Sequence, residues 1–278
     1  MKRVAVINDL SGFGRCSLTA AIAVLSAMQV SPCPLPTAVL SAQSEFERCH
    51  MVDLTAEMPE FIRMWRLNGE SFDAILTGYA PNAAQLETVL GFASVFGGTR
   101  VPLIVDPVMG DNGRLYPGYG HDACLKMKEL AAAADIITPN LTELCLLTGA
   151  DYDALSQGES EEAIAELCRS FMKSGAQAVV TGIRRENGIG NLVVSGDKTV
   201  SVTAQRFDES FSGTGDLFAA VLCGAVLNDK SVEEGARLAA DFICRAAADT
   251  VKEPHDPLYG VDFEKHLHVL WRSINANG

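Results

Sequence analysis

Phe211-Ser212-Gly213-Thr214-Gly215-Asp216-Leu217-Phe218-Ala219-Ala220 sets two glycines around a threonine, then a carboxylate, then an apolar, alanine-rich run that continues to Leu227. The spacing predicts a tight turn opening directly into a buried helix. First-turn amides of such a helix have no intrahelical acceptor, and the helix dipole adds partial positive charge there. A phosphate would be received at Gly213 to Gly215. Asp216 would stand beside it as a group able to take a proton from an alcohol. An anion cradle next to a base is what phosphoryl transfer to a hydroxyl requires. Taken alone, the stretch reads more readily as a turn with a capping residue, because Thr and Asp favour helix starts. The rest of the chain decides between the two.

Outward from this turn, short apolar runs end repeatedly in polar residues. Val4-Ala5-Val6-Ile7 ends at Asn8-Asp9, Ala74-Ile75-Leu76 at Thr77-Gly78-Tyr79, and Leu103-Ile104-Val105 at Asp106-Pro107. Asp135-Ile136-Ile137 ends at Thr138-Pro139-Asn140, and Ala178-Val179-Val180 at Thr181-Gly182. Ala38-Val39-Leu40 is a further strand, followed by a polar stretch through His50. Helical spacing fills most of the intervals, as from Ser17 to Met28. Short buried strands alternating with helices predict a mostly parallel sheet covered on both faces. Leu192-Val193-Val194 and Val200-Ser201-Val202 flank the turn Ser195-Gly196-Asp197-Lys198 and predict an antiparallel hairpin at one edge. Two long helices follow, about Val232 to Val251 and about Phe263 to Ile274. With no repeat or linker, residues 1–278 read as one α/β domain. The polar strand ends belong where open α/β sheets carry their ligand crevice.

Composition narrows the classes. A formal net charge of −13 argues against a binder of the nucleic-acid backbone, which needs a basic face. It leaves room for a small phosphorylated ligand held by amides and a metal. Hydrophobic residues at 48% and charged residues at 21% are those of an ordinary globular protein. No apolar run reaches the length of a membrane-spanning helix. Eight cysteines without a CxxC pair, and an amino terminus that passes from Met1-Lys2-Arg3 straight into a strand, point to reduced thiols and a cytoplasmic location. The five histidines form no metal-site spacing.

Three motifs then coincide in order: Asp106-Pro107-Val108-Met109-Gly110-Asp111, Ala134-Asp135-Ile136-Ile137-Thr138-Pro139-Asn140 with Glu143, and Gly213-Thr214-Gly215-Asp216-Leu217-Phe218-Ala219-Ala220. Over nearly its whole length the chain resembles the ribokinase-like superfamily, and within it the pyridoxal (pyridoxine/pyridoxamine) kinases. The resemblance implies a ribokinase-like three-layer α/β/α fold, ATP as donor, Mg2+, a monovalent cation in some members, and a homodimer. The GxxxxGK[ST] phosphate loop is absent, as expected where a carboxyl-terminal helix start does that work.

Carried over residue by residue, Asp216 resembles the base that deprotonates the acceptor, and Gly213, Thr214 and Gly215 the anion hole. Asp106 and Glu143 resemble the acidic residues that organise Mg2+ and its waters, although Glu143 also reads as an ordinary first-turn glutamate. Thr138 and Asn140 fall near the triphosphate and Thr181 at a nucleotide contact, with a helix cap as the plainer reading of the first two. Arg184 and Arg185 read as a charged turn. On the acceptor side, Asp9 with Ser11 stands where many pyridoxal kinases carry a ring-contacting serine. Ser44 matches a substrate-contacting threonine, and Tyr79 a pocket aromatic. The polar segment 41–50 is a candidate lid. Three departures stand out. The turn Asp9-Leu10-Ser11-Gly12-Phe13-Gly14 differs from the Gln-Ser-His type, and Ala80-Pro81-Asn82 replaces a small loop. Ala42-Gln43-Ser44 is also similar to hydroxymethylpyrimidine kinases of thiamine synthesis, in which a glutamine touches the pyrimidine. The leading expectation is ATP-dependent phosphorylation of the 5′-hydroxymethyl group of pyridoxal, pyridoxine or pyridoxamine. Hydroxymethylpyrimidine (phosphate) kinase and a non-catalytic vitamer-binding protein are the alternatives.

Overall fold

The computed structural model describes residues 1–98, 101–157, 160–185 and 188–275. Its centre is a nine-stranded sheet. The first half alternates β1 (Arg3–Ser11), α1 (Ser17–Ala27), β2 (Ser31–Leu40), β3 (Met51–Asp53), α2 (Met58–Leu67), β4 (Ala74–Thr77), α3 (Ala83–Phe96) and β5 (Leu103–Val105). A small separate hairpin, β6 (Gly110–Asp111) with β7 (Arg114–Leu115), precedes α4 (His121–Ala133), β8 (Ile136–Ile137), α5 (Leu141–Thr148), α6 (Tyr152–Ser156) and α7 (Glu161–Phe171). The chain closes with β9 (Gln177–Arg185), β10 (Gly188–Ser195), β11 (Lys198–Ala204), α8 (Thr214–Leu227), α9 (Val232–Thr250) and α10 (Leu267–Asn275).

Strand order is β11-β10-β9-β8-β5-β4-β1-β2-β3. The six strands from β9 to β2 run parallel to their neighbours. Antiparallel strands finish both edges, with β10 and β11 at one and β3 at the other. Strands such as Ala74–Thr77 and Leu103–Val105 are buried at every residue, on both faces. One face packs α1, α8 and α9 around Leu18, Leu217 and Phe242, and the other packs α3, α4, α5 and α7 around Leu86, Met127, Leu144 and Ile164. This is the three-layer α/β/α architecture expected from the sequence.

Several elements depart from the expectation. β2 begins at Ser31 rather than near Ala38, through Pro32, Pro34 and Pro36. Ser31 donates to the Lys2 carbonyl on the β1 side. With a strand period of two, the three prolines turn their nitrogens to the open edge, where no N–H is needed. β3 is only three residues long, Met51-Val52-Asp53, and exposed throughout, too short for a strand period to show in the sequence. β9 does not end at Thr181 but continues to Arg185, so the edge is a three-stranded meander rather than one hairpin. Gly182, at φ +72°, and a register shift opposite it between Gly190 and Leu192 carry the strand past the break. Among the described residues no helix is long and apolar enough to cross a membrane.

The sheet reverses direction of growth at β1, which has β4 on one side and β2 on the other. A crevice opens outside the carboxyl ends of strands at such a switch point. The polar strand ends named from the sequence all converge there.

Candidate active site

One cavity of about 620 Å³ occupies this crevice. Its wall includes Asp9, Ser11, Gln43, Ser44, Tyr79, Asp106, Thr138, Asn140, Glu143, Thr181, Gly213, Thr214, Gly215 and Asp216. Every candidate residue taken from the sequence is therefore brought to a single space. Arg184 also lines it, whereas Arg185 pairs with Glu161 at 2.8 Å.

The glycine turn is shaped by its neighbours. Gly213 precedes α8 in the left-handed region at φ +78°, and an added Cβ would lie 2.2 Å from the Arg15 carbonyl oxygen. Only glycine meets both demands. α8 then starts at Thr214, with the first-turn amides of Thr214, Gly215 and Asp216 free of intrahelical acceptors. Gly215 faces Asp106 across the cavity, its ideal Cβ position 3.9 Å from Oδ2.

Asp216 is held from two sides. Asn8, at the end of β1, donates from Nδ2 to its Oδ1 at 2.9 Å. The Ser17 backbone N–H, at the start of α1, favours the charged form of the same carboxylate, and the Ser17 hydroxyl does the same for Asp9. Ser17 sits at φ +50°, a conformation that costs a non-glycine residue ~1–2 kcal/mol. Burial pushes the Asp216 carboxyl up to about 6; the Ser17 N–H opposes this, Asp9's charge adds to it, and the Asn8 amide opposes it.

The neighbouring acids share this tension. Asp106 is raised by burial and by the charge of Asp216, while the Thr138 hydroxyl, donating at 2.9 Å, opposes the rise. Glu143 is raised by burial and by Asp106, against backbone donors at Asn140 and Met109. Asp9 is raised by burial, against the hydroxyls of Ser17 and Ser11. Among the described residues, none of these four carboxylates makes an ion pair within the chain. A buried anionic cluster of this kind calls for a cation. No group of three or more His, Cys, Asp or Glu side chains among the described residues converges as a direct ligand cage. Mg2+, which keeps waters and takes one or two carboxylates besides substrate phosphates, fits such a donor set. Asp106 and Glu143 are the residues that would hold it.

The plainer readings hold alongside the functional ones. Asn140 and Glu143 form a reciprocal capping box on α5. The remaining Asn140 donor reaches the Gly110 carbonyl at 2.8 Å and fixes the β6–β7 hairpin. Gln43 is buried, with Nε2 on the Leu258 carbonyl at 3.3 Å and Oε1 on the Glu45 N–H at 2.8 Å. Its amide thus ties segment 41–50 down, and Phe46 packs edge-on against Tyr259 at 5.1 Å to do the same. Ser44 is exposed on that segment. Asp9, Ser11 and Tyr79 line the cavity next to Asp216, with the Ser11 hydroxyl 2.8 Å from Asp9.

Sequence reasoning missed two parts. Asn8 and Ser17 had no assigned role, although Asn8 stands next to Asp9 at a strand end. The apolar end of the cavity, formed by Ile189, Ala204, Phe207, Ala240, Ile243 and Ala247, was not foreseen either. Ala240, Ile243 and Ala247 recur at helical spacing along α9, a signal identical to that of ordinary core packing.

The sequence profile described as phosphomethylpyrimidine kinase matches residues 12–257. The chain belongs to the phosphomethylpyrimidine kinase family. Within this phosphotransferase family, a pyridoxine/pyridoxal/pyridoxamine kinase of Bordetella avium is 28% identical over 248 residues, 86% of this chain and 82% of that one. The chain spans about half the length of the yeast relatives it matches. Pyridoxal kinase from Lactobacillus plantarum superposes with a TM-score of 0.90 at 31% identity, covering 99% of this chain and 98% of that one. A Bacteroides thetaiotaomicron protein, provisionally assigned as a phosphomethylpyrimidine kinase and solved with pyridoxal, gives 0.92 at 34% identity, with 97% and 95% covered. The family's kinase fold and the ribokinase-like architecture of this chain are one and the same.

Proposed function

We propose that this protein transfers the terminal phosphoryl group of ATP to the 5′-hydroxymethyl of pyridoxal, pyridoxine or pyridoxamine. The observation that carries the reading is the single cavity in which Asp216, the Gly213–Gly215 amides and the Asp9–Tyr79 end meet. The acceptor ring sits between Asp9, Ser11 and Tyr79, its alcohol directed to Asp216. The nucleotide lies along Thr138, Asn140 and Thr181, with its base toward Ile243 and Ala247. The helix-start amides receive the charge that develops on the transferring phosphoryl. Asp216 takes the hydroxyl proton as the new bond to phosphorus makes the alcohol acidic. Asp106 and Glu143 hold Mg2+, which neutralises phosphate charge when bound. Segment 41–50, held by Gln43 and Phe46, covers the acceptor and excludes water as a competing acceptor.

The pyrimidine alternative draws support from the family profile and from Gln43 in the cavity wall. Both acceptors are flat heteroaromatic rings bearing a primary alcohol. Purified protein incubated with ATP, Mg2+ and each acceptor in turn separates them. Phosphorylated product from at least one B6 vitamer, at a higher kcat/KM than from hydroxymethylpyrimidine, is expected. Turnover of the pyrimidine with none of any vitamer would overturn the proposal. Vitamer binding without any ATP-dependent product would make the protein a binding module on a kinase fold.

A further inference from the structure

Asn8 is the residue on which three elements are registered. Its side-chain Oδ1 accepts two backbone N–H groups, from Asp9 at 2.9 Å and from Tyr79 at 2.8 Å. An amide whose oxygen is fixed by two main-chain donors has only one orientation left, so its NH₂ must face the other way. It faces Asp216, at 2.9 Å. Asn8 is 6% exposed, so no bulk water competes for the bond. The site is also built to hold it. Gly78 packs so closely that an added Cβ would lie 2.3 Å from Nδ2, and the Gly78 N–H anchors to the Ile7 carbonyl at 2.8 Å. The end of β1, the end of β4 and the first turn of α8 are thereby locked to one another through a single side chain.

We infer that Asn8 is a positioning residue for phosphoryl transfer: it fixes the rotamer of the Asp216 carboxylate so that one oxygen is occupied and the other is presented to the acceptor alcohol. The inference rests on the reading of Asp216 as the base. A carboxylate free to turn about its Cα–Cβ and Cβ–Cγ bonds would spend most of its time misdirected, and misplacement of about 1 Å can cost ~10²-fold in rate. Binding of either substrate does not involve Asn8 in this arrangement, because Asn8 is buried and is not part of the cavity wall.

The test uses an isosteric change. Asn8→Asp keeps an oxygen for the Asp9 and Tyr79 N–H groups and replaces the donor to Asp216 by a second carboxyl oxygen, which faces that carboxylate instead of holding it. Expected is a fall in kcat of about 10–100-fold, with KM for ATP and for the acceptor within about twofold of wild type. Gly78→Ala, which pushes Nδ2 aside without altering any polar group, should lower kcat in the same way. The double variant Asn8→Asp with Asp216→Asn reverses the polarity of the bond. It should recover the thermal stability lost in Asn8→Asp while remaining inactive. Wild-type kcat in Asn8→Asp and Gly78→Ala would overturn the inference, as would a loss carried by KM or no recovery of stability in the double variant. Asp216→Asn retaining wild-type turnover would instead sink the functional reading itself, so the two failures are told apart.

Discussion

At the scale of single residues, the account puts the proton transfer on Asp216 and the anion on the turn before it. Asp216→Asn should lose ~10²–10⁴ in kcat while ATP and vitamer affinities, measured by calorimetry, stay close to wild type. Gly213→Ala meets both a left-handed backbone and an approach of 2.2 Å to the Arg15 carbonyl. It should abolish turnover and lower the melting temperature, which a thermal denaturation series reads directly. Asp216 and Gly213 were legible as cavity residues because their run stands in order with two other motifs and with polar strand ends, although alone it reads as a capped turn. Asn8 and Ser17 were not, because what they act on, the Asp216 side chain of α8 and the Tyr79 N–H after β4 among them, comes near only in the folded chain. Gln43 was legible as a cavity residue, but its amide is engaged with Leu258 and Glu45, a contact that no local pattern encodes.

At the scale of elements, the parallel strands and the buried helix α8 were readable from apolar runs and their polar ends. The strands that were missed or cut short share a physical cause. β2 carries prolines at alternate positions, tolerable only on a strand with an open side, and openness is a property of the assembled sheet. β9 was cut at Gly182, because a glycine after a threonine looks like a turn until β10 is there to pair across the bulge. The same extension builds the apolar end of the cavity, in which Ile189 of β10 and Ala204 of β11 face Ile243 and Ala247 of α9. If the nucleotide base lies there, Ile243→Trp should raise KM for ATP by ~10-fold or more and leave acceptor affinity unchanged, since a side chain that fills a site removes its binding energy uniformly. An equal effect on the acceptor would place the base elsewhere.

At the scale of the whole molecule, a chain of net charge −13 gathers Asp9, Asp106, Glu143 and Asp216 into one buried space. Asp106, Glu143 and Asp216 titrate above their ordinary values there, so the folded state binds more protons than the unfolded state over that interval. Stability contributed by these groups is present at low pH and is lost as pH rises, for Asp216 from its ordinary value near 3.8 through about 6. Mg2+ bound at Asp106 and Glu143 would oppose the loss by offsetting the charge. The gain in melting temperature on adding Mg2+ should therefore be larger at about pH 8 than at about pH 5. A gain independent of pH would mean that the ion binds outside this cluster.

The whole arrangement is tested most directly by a crystal structure with a non-hydrolysable ATP analogue and a B6 vitamer bound together. The account predicts the hydroxymethyl oxygen within hydrogen-bond distance of Asp216, between that carboxylate and a terminal phosphate resting on the amides of Gly213 to Gly215. An acceptor or a terminal phosphate seated away from that turn, with Asp216 facing neither, would contradict it.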